Sequence, residues 1–128
     1  MSRVVLDASA VLALLNREPG AHLLTPELLS QAASSAVNVA EVHAKLVSEG
    51  GDPDEAWEDA LSPLREVFPF TEDHAKVAGA LVTQTRALGL SLGDRACLAL
   101  GLALRAPVYT ADRSWSKLKL GMRIHVIR

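Results

Sequence analysis

The sequence predicts an α/β fold, a sandwich with a central parallel sheet of about five strands and helices on both faces. Three observations predict it. Short runs rich in Val and Ile alternate with stretches of helical periodicity along all 128 residues. The alternation reads β-α-α-β-α-α-β-α-α-β-α-β, the order that builds a parallel sheet covered on both sides. Four acids, Asp7, Glu41, Asp94 and Asp112, fall where apolar strands end or helices begin, the edge at which open α/β sheets place their chemistry.

The elements follow in order. Residues 3–6 form the first strand and Asp7 closes it. A helix over 9–16 stops at Arg17-Glu18-Pro19-Gly20, a turn signal. Leu23, Leu24, Leu28 and Leu29 make a helical stripe over 20–31, with Thr25-Pro26 either capping or breaking it. Residues 35–37 form the second strand. Asn38 then caps a helix running to about residue 48, with Val39, Val42 and Leu46 on one face. Gly50-Gly51 is the clearest break. Asp52-Pro53 restarts a helix as cap and first-turn proline, with Asp54, Glu55 and Glu58 at its positive end and Trp57, Leu61 and Leu64 as its buried stripe. Residues 66–68 are the third strand. Thr71 caps a helix that packs through Val77, Ala78, Leu81 and Val82 and ends at Gly89. Ser91 starts the next, which continues to about residue 104. Residues 107–109 and 123–127 are the last strands, with a short helix between them, capped by Thr110 or Asp112 and carrying Trp115 and Leu118.

The length suits one domain, 1–128, able to bury roughly two-thirds of its unfolded surface. One cysteine, Cys97, excludes an intramolecular disulfide and sits in an apolar run as a buried thiol. A zinc site is disfavoured, because no Cys-x-x-Cys occurs and the four histidines are scattered. A strand beginning by residue 3 leaves no room for a secretory signal, and no apolar run approaches a membrane span. The expectation is a cytoplasmic protein with no membrane association.

Net charge is −2, which argues against a nonspecific nucleic-acid coat. Its distribution is uneven. Residues 49–73 hold nine acids and one base, Arg65, whereas residues 105–128 hold one acid, Asp112, and six bases: Arg105, Arg113, Lys117, Lys119, Arg123 and Arg128. A basic end beside an acidic site suits a polyanion whose scissile phosphate lies over metal. Ordinary solvated faces explain the same asymmetry.

Each acid also has a structural explanation. Asp7 and Asp112 suit helix caps, Glu41 and Lys45 an i,i+4 surface pair, and Ser91-Leu92-Gly93-Asp94 a capping box. Folding alone gives no reason for all four to gather at one sheet edge. Gathered carboxylates need a cation, and an oxygen-only set suits Mg²⁺ or Mn²⁺. Ser9 and Thr110 lie two residues from Asp7 and Asp112, placed either to orient the carboxylates or to cap locally. Arg95 and Arg113 each follow an acid, and with Lys117 they are candidates for substrate phosphates. Nucleophile-elbow, phosphate-loop and dinucleotide glycine patterns are absent.

These residues resemble a known family. Val4-Val5-Leu6-Asp7-Ala8-Ser9-Ala10-Val11-Leu12, with Glu18-Pro19-Gly20 behind it, resembles the opening of PIN-domain proteins, and is most similar to VapC-type toxins of bacterial toxin–antitoxin pairs. Asn38-Val39-Ala40-Glu41-Val42 resembles their second motif, Leu90-Ser91-Leu92-Gly93-Asp94-Arg95-Ala96 their third, and Pro107-Val108-Tyr109-Thr110-Ala111-Asp112-Arg113-Ser114-Trp115 their fourth. Trp115 departs from the phenylalanine many relatives carry. The segment 49–88 carries little signature.

The resemblance implies a PIN-like α/β/α sandwich and a metal-dependent endoribonuclease, the toxin of a VapBC-type system. Asp7, Glu41, Asp94 and Asp112 would be its catalytic and metal-binding acids, holding Mg²⁺ or Mn²⁺; the role of the fourth varies most among relatives. It further implies a homodimer, a cognate VapB-like antitoxin, operator DNA bound only through that antitoxin, and an RNA substrate, with tRNA among the targets of relatives. Metal-activated water would leave a 5′-phosphate and a 3′-hydroxyl. A non-catalytic PIN-fold binding module and a housekeeping RNA-processing nuclease are the alternatives.

Overall fold

The computed structural model describes residues 2–128. Its elements run β1 (Val4–Leu6), α1 (Ala8–Leu15), a 3-10 turn (Ala21–Leu23), α2 (Pro26–Leu29), β2 (Ala32–Ser35), α3 (Ala36–Ser48), α4 (Pro53–Leu61), β3 (Glu66–Phe68), α5 (Glu72–Ala80), α6 (Val82–Thr85), a second 3-10 turn (Arg86–Leu88), α7 (Leu92–Leu104), β4 (Val108–Thr110), a 3-10 helix (Arg113–Lys117) and β5 (Ile124–Val126). The five strands form one sheet in the order β3-β2-β1-β4-β5. Every pairing is parallel.

Side chains alternate across a strand, and β1 divides the core accordingly. Val4 and Leu6 enter one apolar layer with Val11, Val39 and Val42. Val5 enters the other with Leu98, Leu100, Val108 and Trp115. The sheet therefore lies between helical layers, the predicted α/β/α sandwich. Among the described residues no helix is long and apolar enough to cross a membrane.

The second strand lies three residues earlier than the sequence predicts. Its residues, Ala32-Ala33-Ser34-Ser35, are all buried. They lack the β-branched bulk that marks strands, and their small size suits a central strand covered on both faces. Val37 belongs to α3 instead, because Ser35 ends the strand and caps the helix, its hydroxyl accepting from the Val37 N–H at 3.2 Å. Asn38 is thus inside the helix and buried, not its cap.

Residues 20–31 do not form one helix. Thr25 caps a new turn at Pro26, and only four residues follow. Proline disfavours helical backbone in the residue before it, so the leucine stripe is split. On α4 the buried residues are Ala56 and Ala60, whereas Trp57 is 41% exposed and meets His43 edge-on at 5.4 Å. Ala78 and Leu81 carry the packing expected of the following helix, while Val77 and Val82 are exposed. Lys45 pairs with Glu49 at 3.9 Å, not with Glu41. Thr71 and Asp112 cap as predicted, and Gly89 ends its turn in left-handed backbone.

Candidate active site

The parallel sheet has two chemically different edges. Asp7 follows β1, Asp112 follows β4, and the N-terminal parts of α3 and α7 bring Glu41 and Asp94 to the same side.

Asp7 is the most constrained of the four. Its N–H donates to the Tyr109 carbonyl at 3.1 Å, which joins β1 to β4 at their ends. Its carboxylate caps α1, with Oδ1 accepting from the Ala10 N–H at 2.8 Å. Thr110 Oγ1 donates to Asp7 Oδ2 at 2.6 Å, and Ser9 Oγ donates to the same carboxylate at 2.8–2.9 Å. Both hydroxyls are oriented from behind. Ser9 Oγ accepts from the Ala111 N–H at 2.9 Å and Thr110 Oγ1 from the Asp112 N–H at 3.0 Å. With those lone pairs occupied, each hydroxyl turns its single proton towards Asp7. Ser9 and Thr110 therefore do both things the sequence allowed: they satisfy local backbone and they orient Asp7.

Three hydrogen bonds ordinarily lower a carboxyl pKa, yet that of Asp7 is raised from 3.8 to about 6. Burial is the main cause, since only 3% of the residue is exposed, and the charge of Asp94 adds to it. The folded chain therefore keeps a proton on Asp7 through a window, about pH 4 to 6, in which the unfolded chain has lost it. Without metal, stability should fall as pH rises through that window and level off above it. The rise corresponds to at most roughly 3 kcal/mol. Asp7→Asn should flatten this slope, as urea midpoints in chelator near pH 4.5 and pH 7 would record. An unchanged slope in the variant would contradict it.

Glu41 is exposed on α3, but its carboxylate is held by Asn38. Asn38 Nδ2 donates to Glu41 Oε1 at 2.9 Å and to the Gly93 carbonyl at 3.0 Å, joining α3 to the start of α7. Gly93 makes room for it: a Cβ there would collide with the Glu41 carboxylate. Asp94 sits in the first turn of α7, where Oδ2 accepts from the Ser91 N–H at 2.9 Å and Ser91 Oγ accepts from the Asp94 N–H at 3.1 Å. The predicted capping box is present, so capping fixes the carboxylate beside Gly93.

Below them lies Cys97, fully buried. Burial raises its thiol pKa, and Asp7, Asp94 and Glu41 raise it further in that order. These three carboxylates therefore share one neighbourhood. Asp112 stands apart. It is exposed, its Oδ1 accepts from the Ser114 N–H at 2.9 Å and from Ser114 Oγ at 2.8 Å, and it is not a cause of either shift.

Among the described residues, no three acid, histidine or cysteine side chains are close enough together to form a ready cation cage. The chemistry of the set nonetheless fits a hard divalent ion. All donors are oxygens. No basic side chain pairs with Asp7, Glu41, Asp94 or Asp112, because the ion pairs among the described residues are Arg3–Glu66, Lys45–Glu49 and Arg128–Glu18. One more oxygen, Asn38 Oδ1, is buried beside Glu41 with no hydrogen-bond partner.

The basic candidates divide. Arg113 and Lys117 are exposed on the 3-10 helix that Asp112 caps. Arg95 is turned towards α5, its Nη1 donating to the Ala78 carbonyl at 2.9 Å and its Nε buried. Arg105 and Arg123 precede β4 and β5 and so lie at the edge opposite the acids. Of the two readings of the basic end, gathering beside the acidic site does not hold for these two, because parallel strands carry their starts and ends to opposite edges.

Asn38 and Gly93 are the residues the sequence reading missed as part of the site. Asn38 stands three positions before Glu41, the spacing at which side chains meet on a helix, and that spacing was the available signal. Gly93→Ala should leave the fold intact, since the atoms nearest its added methyl all belong to the end of the Glu41 side chain, which would have to leave Asn38. It should cut a reaction depending on Glu41 by roughly 10–100-fold. Turnover and melting curves of the variant would check both; unchanged turnover would remove Glu41 from the site.

A PIN domain family model matches residues 4–120. Among solved structures, VapBC2 from Rickettsia felis bound to a DNA fragment from its promoter superposes with a TM-score of 0.74 at 20% identity, covering 98% of each chain. DNA-bound VapBC from Salmonella typhimurium gives 0.74 at 17% identity over 100% of each chain. Mycobacterium tuberculosis VapC20, described as a Sarcin-Ricin loop cleaving toxin, gives 0.69 at 19% identity, covering 91% of this chain and 96% of that one. No curated protein matches the sequence. With a family model spanning most of its length and all four motif acids on one edge of a five-stranded parallel sheet, the chain belongs to the PIN domain family.

Proposed function

We propose that the chain is a metal-dependent endoribonuclease, the toxin of a VapBC-type toxin–antitoxin pair. The observation that carries the reading is the uncompensated trio Asp7, Glu41 and Asp94, one of them buried, with no basic partner. A PIN-fold module that only binds would gain nothing from such repulsion.

Asp7, Glu41 and Asp94 would hold Mg²⁺ or Mn²⁺, with Asp112 joining from the 3-10 helix. The ion supplies Lewis acidity, making water more acidic and offsetting charge on the scissile phosphate. The chain's own residues do the positioning. Ser9 and Thr110 point their protons at Asp7 and fix its carboxylate plane. Asn38 holds Glu41. The capping box sets Asp94. Arg113 and Lys117, exposed on the 3-10 helix that Asp112 caps, would take flanking phosphates, and Arg95 is the weakest of the three substrate-binding candidates because its guanidinium already serves Ala78.

The proposed partners are a VapB-like antitoxin, a second copy of the chain as a homodimer, and structured RNA such as tRNA, in a cytoplasmic setting. Operator DNA would be reached through the antitoxin. The structural relatives support this by description: two are VapBC complexes bound to DNA and one is a toxin that cleaves the Sarcin-Ricin loop. End-group analysis of cleaved RNA tests the chemistry. A 5′-phosphate with a 3′-hydroxyl is expected. A 2′,3′-cyclic phosphate would mean that the RNA's own 2′-hydroxyl attacks, and would overturn the water-based mechanism.

A further inference from the structure

The edge opposite the acids carries a row of arginines. Arg65 directly precedes β3, Arg3 precedes β1, Arg105 ends α7 just before β4, and Arg123 precedes β5. All four are exposed. Because every strand is parallel, the row crosses the whole sheet, about 19 Å at four strand spacings. Arg3, Arg105 and Arg123 line one hollow of about 380 Å³, whose walls contain no acid. Arg105 and Arg123 also line the adjoining hollow of about 430 Å³, again without an acid. Among the described residues lining these hollows and the next one, Glu66 is the only carboxylate, and Arg3 Nε holds it at 2.7 Å. Arg105 and Arg123 have no ion pair among the described residues.

Of the three that line the first hollow, Arg105 and Arg123, the two without an ion pair, repel one another across it, whereas Arg3 is held by Glu66 and lies over the Phe68 ring at 5.3 Å. Arg105 is also the C-cap of α7 in left-handed backbone, φ 53°, where glycine or asparagine sits with less strain. A guanidinium fork matches phosphate oxygens two at a time. A row several times longer than one phosphate suits a polymer better than a free anion.

We propose that this arginine edge is a second binding surface for the phosphodiester backbone of RNA, separate from the acidic edge and built chiefly on Arg105 and Arg123, with Arg3 and Arg65 extending it. The naming of RNA rests on the nuclease reading above; the affinity for phosphodiester does not. The chain from β4 to β5 joins the two edges, and it carries Arg113, Lys117 and Lys119 before reaching Arg123. One strand of RNA can therefore run from the acids to the arginines along basic residues. Such a surface would favour long substrates over short ones cut at the same bond.

The test is binding of an end-labelled single-stranded RNA to the full chain in EDTA, where cleavage is off, across a salt series. Wild type is compared with the double variant Arg105→Asn, Arg123→Gln; asparagine suits the left-handed position and so protects the fold. The expected result is roughly tenfold weaker binding at low salt and a salt slope shallower by about 1.4, near 0.7 for each lost phosphate contact. Unchanged affinity and slope in the double variant would overturn the proposal, as would failure of wild type to bind RNA under these conditions. Preferential binding of duplex DNA, lost in the same variant, would overturn the RNA assignment. Metal-dependent cleavage is measured separately, so either surface can fail while the other stands.

Discussion

Asp94→Asn should fold normally and lose the proposed RNA cleavage by roughly 10²–10³-fold, the scale of removing one member of a charge-stabilising set. Asparagine keeps the shape and an oxygen that can still accept from the Ser91 N–H, so the capping box and α7 should survive. The carboxylate charge is lost, and with it one of the two anionic neighbours that act with Asp7 around Cys97. The Asp7 carboxyl should move back towards its ordinary range, because Asp94 is one of the causes that raise it. Two readouts should therefore move together: turnover down, and the pH dependence of metal-free stability shifted slightly to lower pH. Full activity from a well-folded variant would remove Asp94 from the site.

Trp115→Ala should cost about 3–5 kcal/mol of stability, the range for emptying a large aromatic site in a core. Trp115 is 0% exposed and packs with Val5, Leu98, Leu100 and Val108 on the face opposite Val4 and Leu6. Truncating it would open a cavity between the sheet and the 3-10 helix that carries the Asp112 cap. Its indole N–H is buried without an acceptor, an unfavourable feature that partly offsets the packing. Trp115→Phe discriminates between ring and N–H. It keeps much of the apolar contact and removes the unpaired donor, so it should cost clearly less than Ala. Urea denaturation of both variants checks this. Equal losses for Phe and Ala would contradict the assignment of this stability to the apolar ring.

The layers and the strand order in sequence were legible because their signals are local. Val4-Val5-Leu6 and Val108-Tyr109-Thr110 carry β-branched bulk, and Thr71, Ser91 and Asp112 announce helices through side chains that bond the next turn. The strand Ala32–Ser35 was not legible, because a strand buried on both faces between bulky neighbours needs small residues, and small residues carry no strand signature. The same tertiary cause hid Trp57, which is amphipathically spaced yet exposed because alanines fill the contact of α4.

Asp7, Asp94 and Asp112 were visible because each stands at an element boundary, which chain order alone reveals, whereas Glu41 lies six residues into α3, deeper than the sequence suggests. What joins the acids was not visible. Asn38 bonds Glu41 and Gly93 across 55 positions of sequence, and Gly93 matters for the space it leaves, not for any group it presents. The charge of residues 105–128 was legible as a number but not as a place. The parallel topology sends Arg113 and Lys117 towards the acids and Arg105 and Arg123 away from them.

The most direct measurement is cleavage of total cellular RNA by the chain freed of any partner, in Mg²⁺, Mn²⁺ or EDTA, with Asp94→Asn alongside. Discrete cuts that need the metal and vanish in the variant are the predicted result. Folded protein that binds Mn²⁺ yet leaves every RNA intact, or cuts equally well in EDTA, would contradict the account.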